Sequence, residues 1–441
     1  MINWLADEDC ELEGIGRRTL LQAGFLGLGQ LSLAQWLRLK SQAGEARPTN
    51  SAASVIFVEL AGGPSHFETY DPKPEAPREY RGPLSSIATS IAGVRFSELM
   101  PRQASAMRRL AIVRSIHHNS SSHETSSHLV QTGYYLRDRQ NRENEMPCAG
   151  ALAARMCGSN QQGTPAYVAI PQAMRSGTAA YLGKAYNPFV TGSDPNRPNF
   201  RINNLELAKS LSGKRLRQRR ALLASLDRGS RVVDNHGVTS AMDDFTGQAF
   251  EMVTGRRARE AFDIHAEDPR TRDRYGRNAV GQSMLLARRL VEAGVTFVTV
   301  RVPGWDDHQD INKRMRQKGP AYDCGMAALV NDLYDRGMDR DVLVVAMGEF
   351  GRTPRVNKNA GRDHWGAVMS VLLAGGGLRV GQIVGNSNRK GETPVEQPYR
   401  PEHVLAMVYR HLGIDPAQTF EDLSGRPRYV LEDRRLIEEL I

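Results

Sequence analysis

Five short and nearly uninterrupted apolar runs limit the fold of this chain more than any other feature. They are residues 54–60 (SVIFVEL), 110–113 (LAIV), 295–302 (VTFVTVRV), 341–347 (DVLVVAM) and 368–374 (VMSVLLA). Strands with one wet face alternate apolar and polar residues, whereas strands covered on both faces read as continuous β-branched runs. Helical patterns lie between them at 278–293, 322–336 and 402–412, each followed by a glycine at or just past its end. Glycine suits the left-handed residue that closes a helix. Alternation of this kind predicts an α/β fold, with a mostly parallel central sheet and helices on both faces.

Two regions depart from that pattern. Residues 195–275 carry helical patterns at 205–226 and 241–265 but no convincing strand, and read as a helical insertion on an α/β domain spanning 51–430. Residues 1–50 precede the first strand. There Gly16-Arg17-Arg18-Thr19 opens an apolar stretch, LLQAGFLGLGQLSLAQWL, that reads as a twin-arginine export signal followed by a linker. The stretch is short for a membrane span and is interrupted by Gln, Gly and Ser. An amphipathic N-terminal helix is the plainer alternative. The expected location is therefore periplasmic or extracellular, reached through the twin-arginine export machinery. Cys148, Cys157 and Cys324 remain after the signal, with no C-x-x-C pair, so a zinc-thiolate site has no support.

Ligands of open α/β sheets bind beyond the carboxyl ends of the strands. In this chain each apolar run adjoins a loop rich in polar side chains: GGPSHFETYDPKP after the first, HHNSSSHETSSH after the second, GWDDH after the third, GEFGRTP after the fourth, and GRDHW before the fifth. Of 11 histidines, seven fall in these loops, at 66, 117, 118, 123, 128, 308 and 364. Any one of them alone is better explained by capping a helix or bonding backbone. Five such loops together point to a divalent metal. Imidazole plus carboxylate suits Zn or Mn, one ion or two, and Mg or Ca would favour oxygen alone. In Asp306-x-His308 alternate side chains reach one ion, and in Asp363-His364 the diverging neighbours could serve two. His118 and His123 are further candidates, as is Glu349. Two ions about 3.5–4 Å apart would clamp a phosphoryl-type group.

Arg352 could bind an anion with its fork of donors, or simply pair with Glu349 to hold the loop. Gly62-Gly63 could bring backbone N–H groups close to an anion, or be a tight turn. The chain has no G-x-S-x-G, no Walker A and no dinucleotide fingerprint in a strand–helix context.

The segments GGPSHFETYDPKP, RGPLSSIATSIAGVRFSELMPR, GWDDH, MGEFGRTPRVN and GRDHW resemble the bacterial family called domain of unknown function 1501, over about residues 15–420. The resemblance places the chain in the alkaline phosphatase and sulfatase-like superfamily and implies a metal-assisted hydrolase fold. By the same resemblance Asp306-Asp307-His308 and Asp363-His364 stand where the superfamily holds metal. Its first-strand Asp has no clear counterpart, and His66, Glu68 or Asp71 is the expected substitute. Ser120, Ser121, Ser122 and Thr125 lie near the place of the nucleophile. A formylglycine nucleophile is not available, because neither Cys148-Ala-Gly-Ala nor Cys157-Gly-Ser-Asn fits its motif.

The expected function is a metal-dependent hydrolase of phosphate or sulfate esters; the alternative is a non-catalytic binding or envelope-assembly protein on a degenerate scaffold. The net charge of +9 is uneven, because residues 197–289 carry 19 Lys+Arg against 11 Asp+Glu. That bias suits a solvated helix face or an anionic, even polymeric, substrate. With aromatics at 7% and no recognition motif, nucleic acid is not an expected partner.

Overall fold

The computed structural model describes residues 53–138, 144–202 and 256–441. The residues read as an export signal, the first helical pattern of the basic insertion and most of the second lie outside the described residues; the end of the second forms a helix at Arg256–Phe262. All five apolar runs form strands of one eight-stranded sheet. In chain order its strands are β1 (Ser54–Leu60), β2 (Ala111–Ile116), β3 (Tyr167–Ile170), β4 (Phe189–Val190), β5 (Phe297–Val302), β6 (Val342–Met347), β7 (Met369–Gly375) and β8 (Gln382–Val384). They lie in the order β8-β2-β7-β6-β1-β5-β3-β4. The sequence patterns did not reveal β3, β4 and β8, which have four, two and three residues.

Every strand pair is parallel except those made by β7, which runs against both β2 and β6. The reason lies in the connection. A parallel crossover needs a helix-sized link, but the chain from β6 to β7 forms a small antiparallel ladder, Gly351–Arg352 against His364–Trp365. The reversal matters for the site, because it brings the start of β7 to the edge where the other strands end. Met369 of β7 pairs with Ile116, the last residue of β2.

Two apolar cores flank the sheet. Ile56, Val58 and Leu60 of β1 join the core built with α3 (Ala279–Glu292) and α4 (Ile311–Asp335). Val55 and Phe57 point the other way, toward α2 (Ala149–Met156) and α5 (Pro401–Leu412). Successive side chains of a strand face opposite sides, so a strand buried twice must be apolar throughout. Burying Phe57 alone contributes about 2 kcal/mol. Helix α3 starts at Asn278, whose side chain accepts a bond from the Gly281 N–H, and α5 ends at Gly413 in the left-handed region. Helix α4 begins at Ile311, a full three turns before the pattern at 322, because it runs through Pro320. Among the described residues no helix is long and apolar enough to cross a membrane.

Candidate metal centre

The carboxyl edge of the sheet collects side chains from three strand connections. His123 opens α1 (His123–Thr132), which follows β2. Asp306 and His308 follow β5, and Asp363 and His364 sit in the link that enters the reversed β7. The convergence depends on Gly62 and Gly63, which both have positive φ. A Cβ on Gly62 would strike the backbone of Trp305 and Asp306, so only glycine lets the two loops meet. The Gly62 N–H does approach an anion, and that anion is the protein's own Glu349, with both oxygens at 3.0 Å.

Three imidazoles face one carboxylate. Asp306 Oδ1 lies 3.0 Å from His308 Nε2 and 3.1 Å from His364 Nε2, and its Oδ2 lies 3.4 Å from His123 Nε2. His308 Nε2 and His364 Nε2 are 3.0 Å apart. In each ring the other nitrogen meets a group that can only accept. His308 Nδ1 donates to Asp363 Oδ1 at 2.7 Å, His364 Nδ1 to the Ser121 carbonyl at 2.8 Å, and His123 Nδ1 to Glu349 Oε1 at 2.6 Å. With the proton held at Nδ1, every neutral ring presents an Nε2 lone pair toward Asp306. Lone pairs that converge on a carboxylate repel unless a cation lies among them. The separations are close to the roughly 3.3 Å expected between donors around a tetrahedral ion with ligand distances of about 2.0–2.1 Å. Among the described residues, His123, Asp306 and His364 are the one group of at least three such side chains whose ligand atoms fit around an ion, and His308 stands beside that group, against Asp306 and His364.

The titratable groups of the cluster are perturbed by burial and by one another. Burial alone would raise the Asp306 carboxyl, but the hydrogen-bonded Arg352 guanidinium, helped by His364 and His123, holds it well below the usual carboxylate range. Asp363 is lowered chiefly by its bond from His308 and then, against some burial, by Asn357. His123 is raised, mainly through its bond to Glu349. His364 is lowered by burial.

The other candidates have different surroundings. Asp363 and Glu349 stand behind the histidines and orient them. Arg352 is wholly buried. Its Nε donates to Gly63 O at 2.9 Å and Nη1 to Arg362 O at 3.0 Å, while Nη2 serves Gly62 O and Asp306. It holds the loops together and is not turned toward an anionic ligand. His118 spends both nitrogens on backbone, donating to Glu349 O and accepting from Ser120 N, and burial pushes it down to about 4.

His66 and Asp71 belong to a separate buried network and do not stand in for a first-strand ligand. His66 donates to Gly391 O, and burial lowers it to about 4. Asp71 takes the Ser387 hydroxyl at 2.6 Å and lies 3.2 Å from Lys73 Nζ.

Three of the four candidate hydroxyls are bonded or buried, and Ser121 is exposed. Ser120 Oγ accepts from Ser126, and Ser122 Oγ donates to Glu124. The Thr125 hydroxyl is buried with no partner, and Ser121 contributes its carbonyl. Sequence reasoning missed Asn357, whose amide steadies both Asp363 Oδ1 at 3.2 Å and His308 O at 3.1 Å. It closes the segment MGEFGRTPRVN, four residues before GRDHW, where sequence reasoning assigns it no role of its own.

Residues 52–441 match the family described as Protein of unknown function (DUF1501). The chain belongs to that family. Comparison with curated proteins finds no match. Among solved structures, the chain is similar to the lipoteichoic acid synthase LtaP from Listeria monocytogenes, at 9% identity over 86% of this chain and 78% of that one, with a TM-score of 0.36. It is also similar to the PsFucS1 sulfatase from Pseudoalteromonas sp., at 10% identity over 87% and 70%, TM-score 0.36. A third likeness is to the phosphonate monoester hydrolase of Agrobacterium radiobacter, at 12% identity over 83% and 75%, TM-score 0.32.

Proposed function

We propose that this DUF1501 protein is an exported, metal-dependent hydrolase of phosphate or sulfate esters. The observation that carries the reading is the convergence of three Nε2 atoms on Asp306, each ring fixed by an acceptor at Nδ1. His123, His364 and Asp306 would hold the ion, with His308 beside them against Asp306 and His364, and imidazole-rich donors of this kind suit Zn or Mn. Such an ion supplies Lewis-acid polarisation of a phosphoryl or sulfuryl oxygen. The protein's part is to keep the protons at Nδ1: Glu349 does so for His123, Asp363 for His308 and the Ser121 carbonyl for His364. Arg352 balances the charge of Asp306 from beneath and leaves the solvent side to substrate.

One observation favours the second reading, a non-catalytic binding protein on the same scaffold. Ser120 and Ser122 engage their hydroxyls with Ser126 and Glu124 and that of Thr125 is buried, which leaves exposed Ser121 alone among the four candidate nucleophiles. Metal analysis of the purified full-length protein, paired with turnover of aryl phosphates, phosphodiesters and aryl sulfates, separates the two. The hydrolase reading expects about one equivalent or more of transition metal and turnover of one ester class, both lost in Asp306→Ala. A metal-free wild type with no turnover would sink it, and bound metal without turnover would favour the binding protein.

A further inference from the structure

The sheet edge continues past the metal centre as a row of charged side chains on the face that also holds Val55 and Phe57. Glu59, next to last in β1, pairs in register with Arg301 of β5 and Met347 of β6. Its side chain is 5% exposed, and its Oε2 lies 3.3 Å from Arg301 Nε. Neither atom completes a hydrogen bond. Arg301 Nη1 also reaches Gln172 Oε1 at 3.4 Å, on the loop that leaves β3. Arg175, from the same loop, pairs with Glu124, whose other oxygen takes the Ser122 hydroxyl at 3.0 Å. Glu124 is the neighbour of His123. The loop that carries Gln172 and Arg175 thus touches Arg301 at one residue and, through Glu124, the start of α1 beside His123 at another.

Stability does not explain a carboxyl here. The preceding residues on this face are Val and Phe, and a buried, incompletely bonded ion pair is commonly no better than an apolar pair of similar size. What Glu59 achieves is placement. It fixes the Arg301 guanidinium at the end of β5, where the two arginine side chains keep 31% and 45% of their surface exposed. Burial, with the charge of Glu349, also pushes the Glu59 carboxyl up to about 8, so near neutral pH the Arg301 charge is not fully compensated.

We infer that Arg301 and Arg175, with Gln172, form a subsite for a second acidic group of the substrate, a carboxylate, sulfate or phosphate beside the ester at the metal centre. The planar fork of guanidinium matches any of these oxyanions. This rests on the hydrolase reading and narrows it to esters on a polyanionic scaffold.

The test uses metal-loaded full-length protein and two non-scissile probes, 4-sulfobenzoate and benzenesulfonate, titrated by calorimetry. Turnover of 4-nitrophenyl phosphate and 4-nitrophenyl sulfate is measured in parallel. The dianion should bind wild type at least tenfold more tightly than the monoanion. In Arg175→Ala and in Arg301→Gln that preference should fall at least fivefold, with thermal unfolding confirming that each variant is folded. Equal affinities in wild type, or a preference untouched by both substitutions, overturn the subsite whatever the turnover. A preference lost in the variants, with no turnover by wild type, keeps the subsite and removes the hydrolase reading.

Discussion

A guanidinium with no exposed surface must spend its donors inside the protein, and Arg352 gives them to the carbonyls of Gly62, Gly63 and Arg362 and to Asp306. Lys would keep the charge but not the fork, leaving buried carbonyls unpaired. Arg352→Lys should therefore cost about 3 kcal/mol of stability in urea unfolding and lower metal content; a variant of wild-type stability would refute this role. Asp363 acts one bond away from the cluster and is half exposed. Asp363→Ala should weaken metal binding by about 10–100-fold, the usual cost of losing the group that orients a ligating imidazole, while the melting temperature of the metal-free protein changes little. Unchanged affinity in competition with a chelator would remove Asp363 from the site.

Glu59 permits a signed pH prediction. Burial first, then Glu349, raises it from 4.5 to about 8 in the folded chain. Between those values the folded state holds a proton that the unfolded chain has lost, so its contribution is full below 4.5 and falls by up to about 1.4 kcal/mol per pH unit as pH rises toward 8. Glu59→Gln should flatten that slope. The difference in melting temperature, variant minus wild type, should grow from pH 5 to pH 8, and a constant difference would show that Glu59 stays ionised.

Among elements, what could be read from the sequence was burial, and what could not was direction. A run such as VMSVLLA is apolar throughout because both of its faces are covered, and that holds whether it runs with or against its neighbours. The reversal of β7 is decided by the link before it, which has no helix long enough to cross over. The same limit applies to the histidines. Their crowding into strand-end loops marked the right edge of the sheet, yet His118 and His123 lie in one loop and do different work. His118 is satisfied by backbone, while His123 has Glu349 behind it and Asp306 in front. Partners from distant segments decide between those roles, so spacing along the chain cannot. Gly361 tests whether loop contact alone builds the centre. A Cβ there would strike the His308 carbonyl and the Gln309 N–H. Gly361→Ala should lose most of the bound metal without touching a ligand, and wild-type metal stoichiometry in that variant would show that the loops can yield.

For the whole molecule, the proposed metal site and the proposed export together imply an order of events. His123, Asp306, His308 and His364 come from three separate connections, so on the proposed reading metal would load only after the sheet has formed. A route that carries folded proteins fits that requirement, and Arg17-Arg18 before the apolar stretch is the feature that would direct the chain to it. Residues 1–50 carry 5 Lys+Arg against 6 Asp+Glu, so their removal leaves the rest of the chain slightly more basic and the balance favouring anionic ligands intact. Replacing the pair, Arg17→Lys with Arg18→Lys, should hold the protein in the cytoplasmic fraction. The retained protein should contain as much metal per chain as the exported form. Export unaffected by the double substitution would discard the twin-arginine reading, and a retained form without metal would place loading after export.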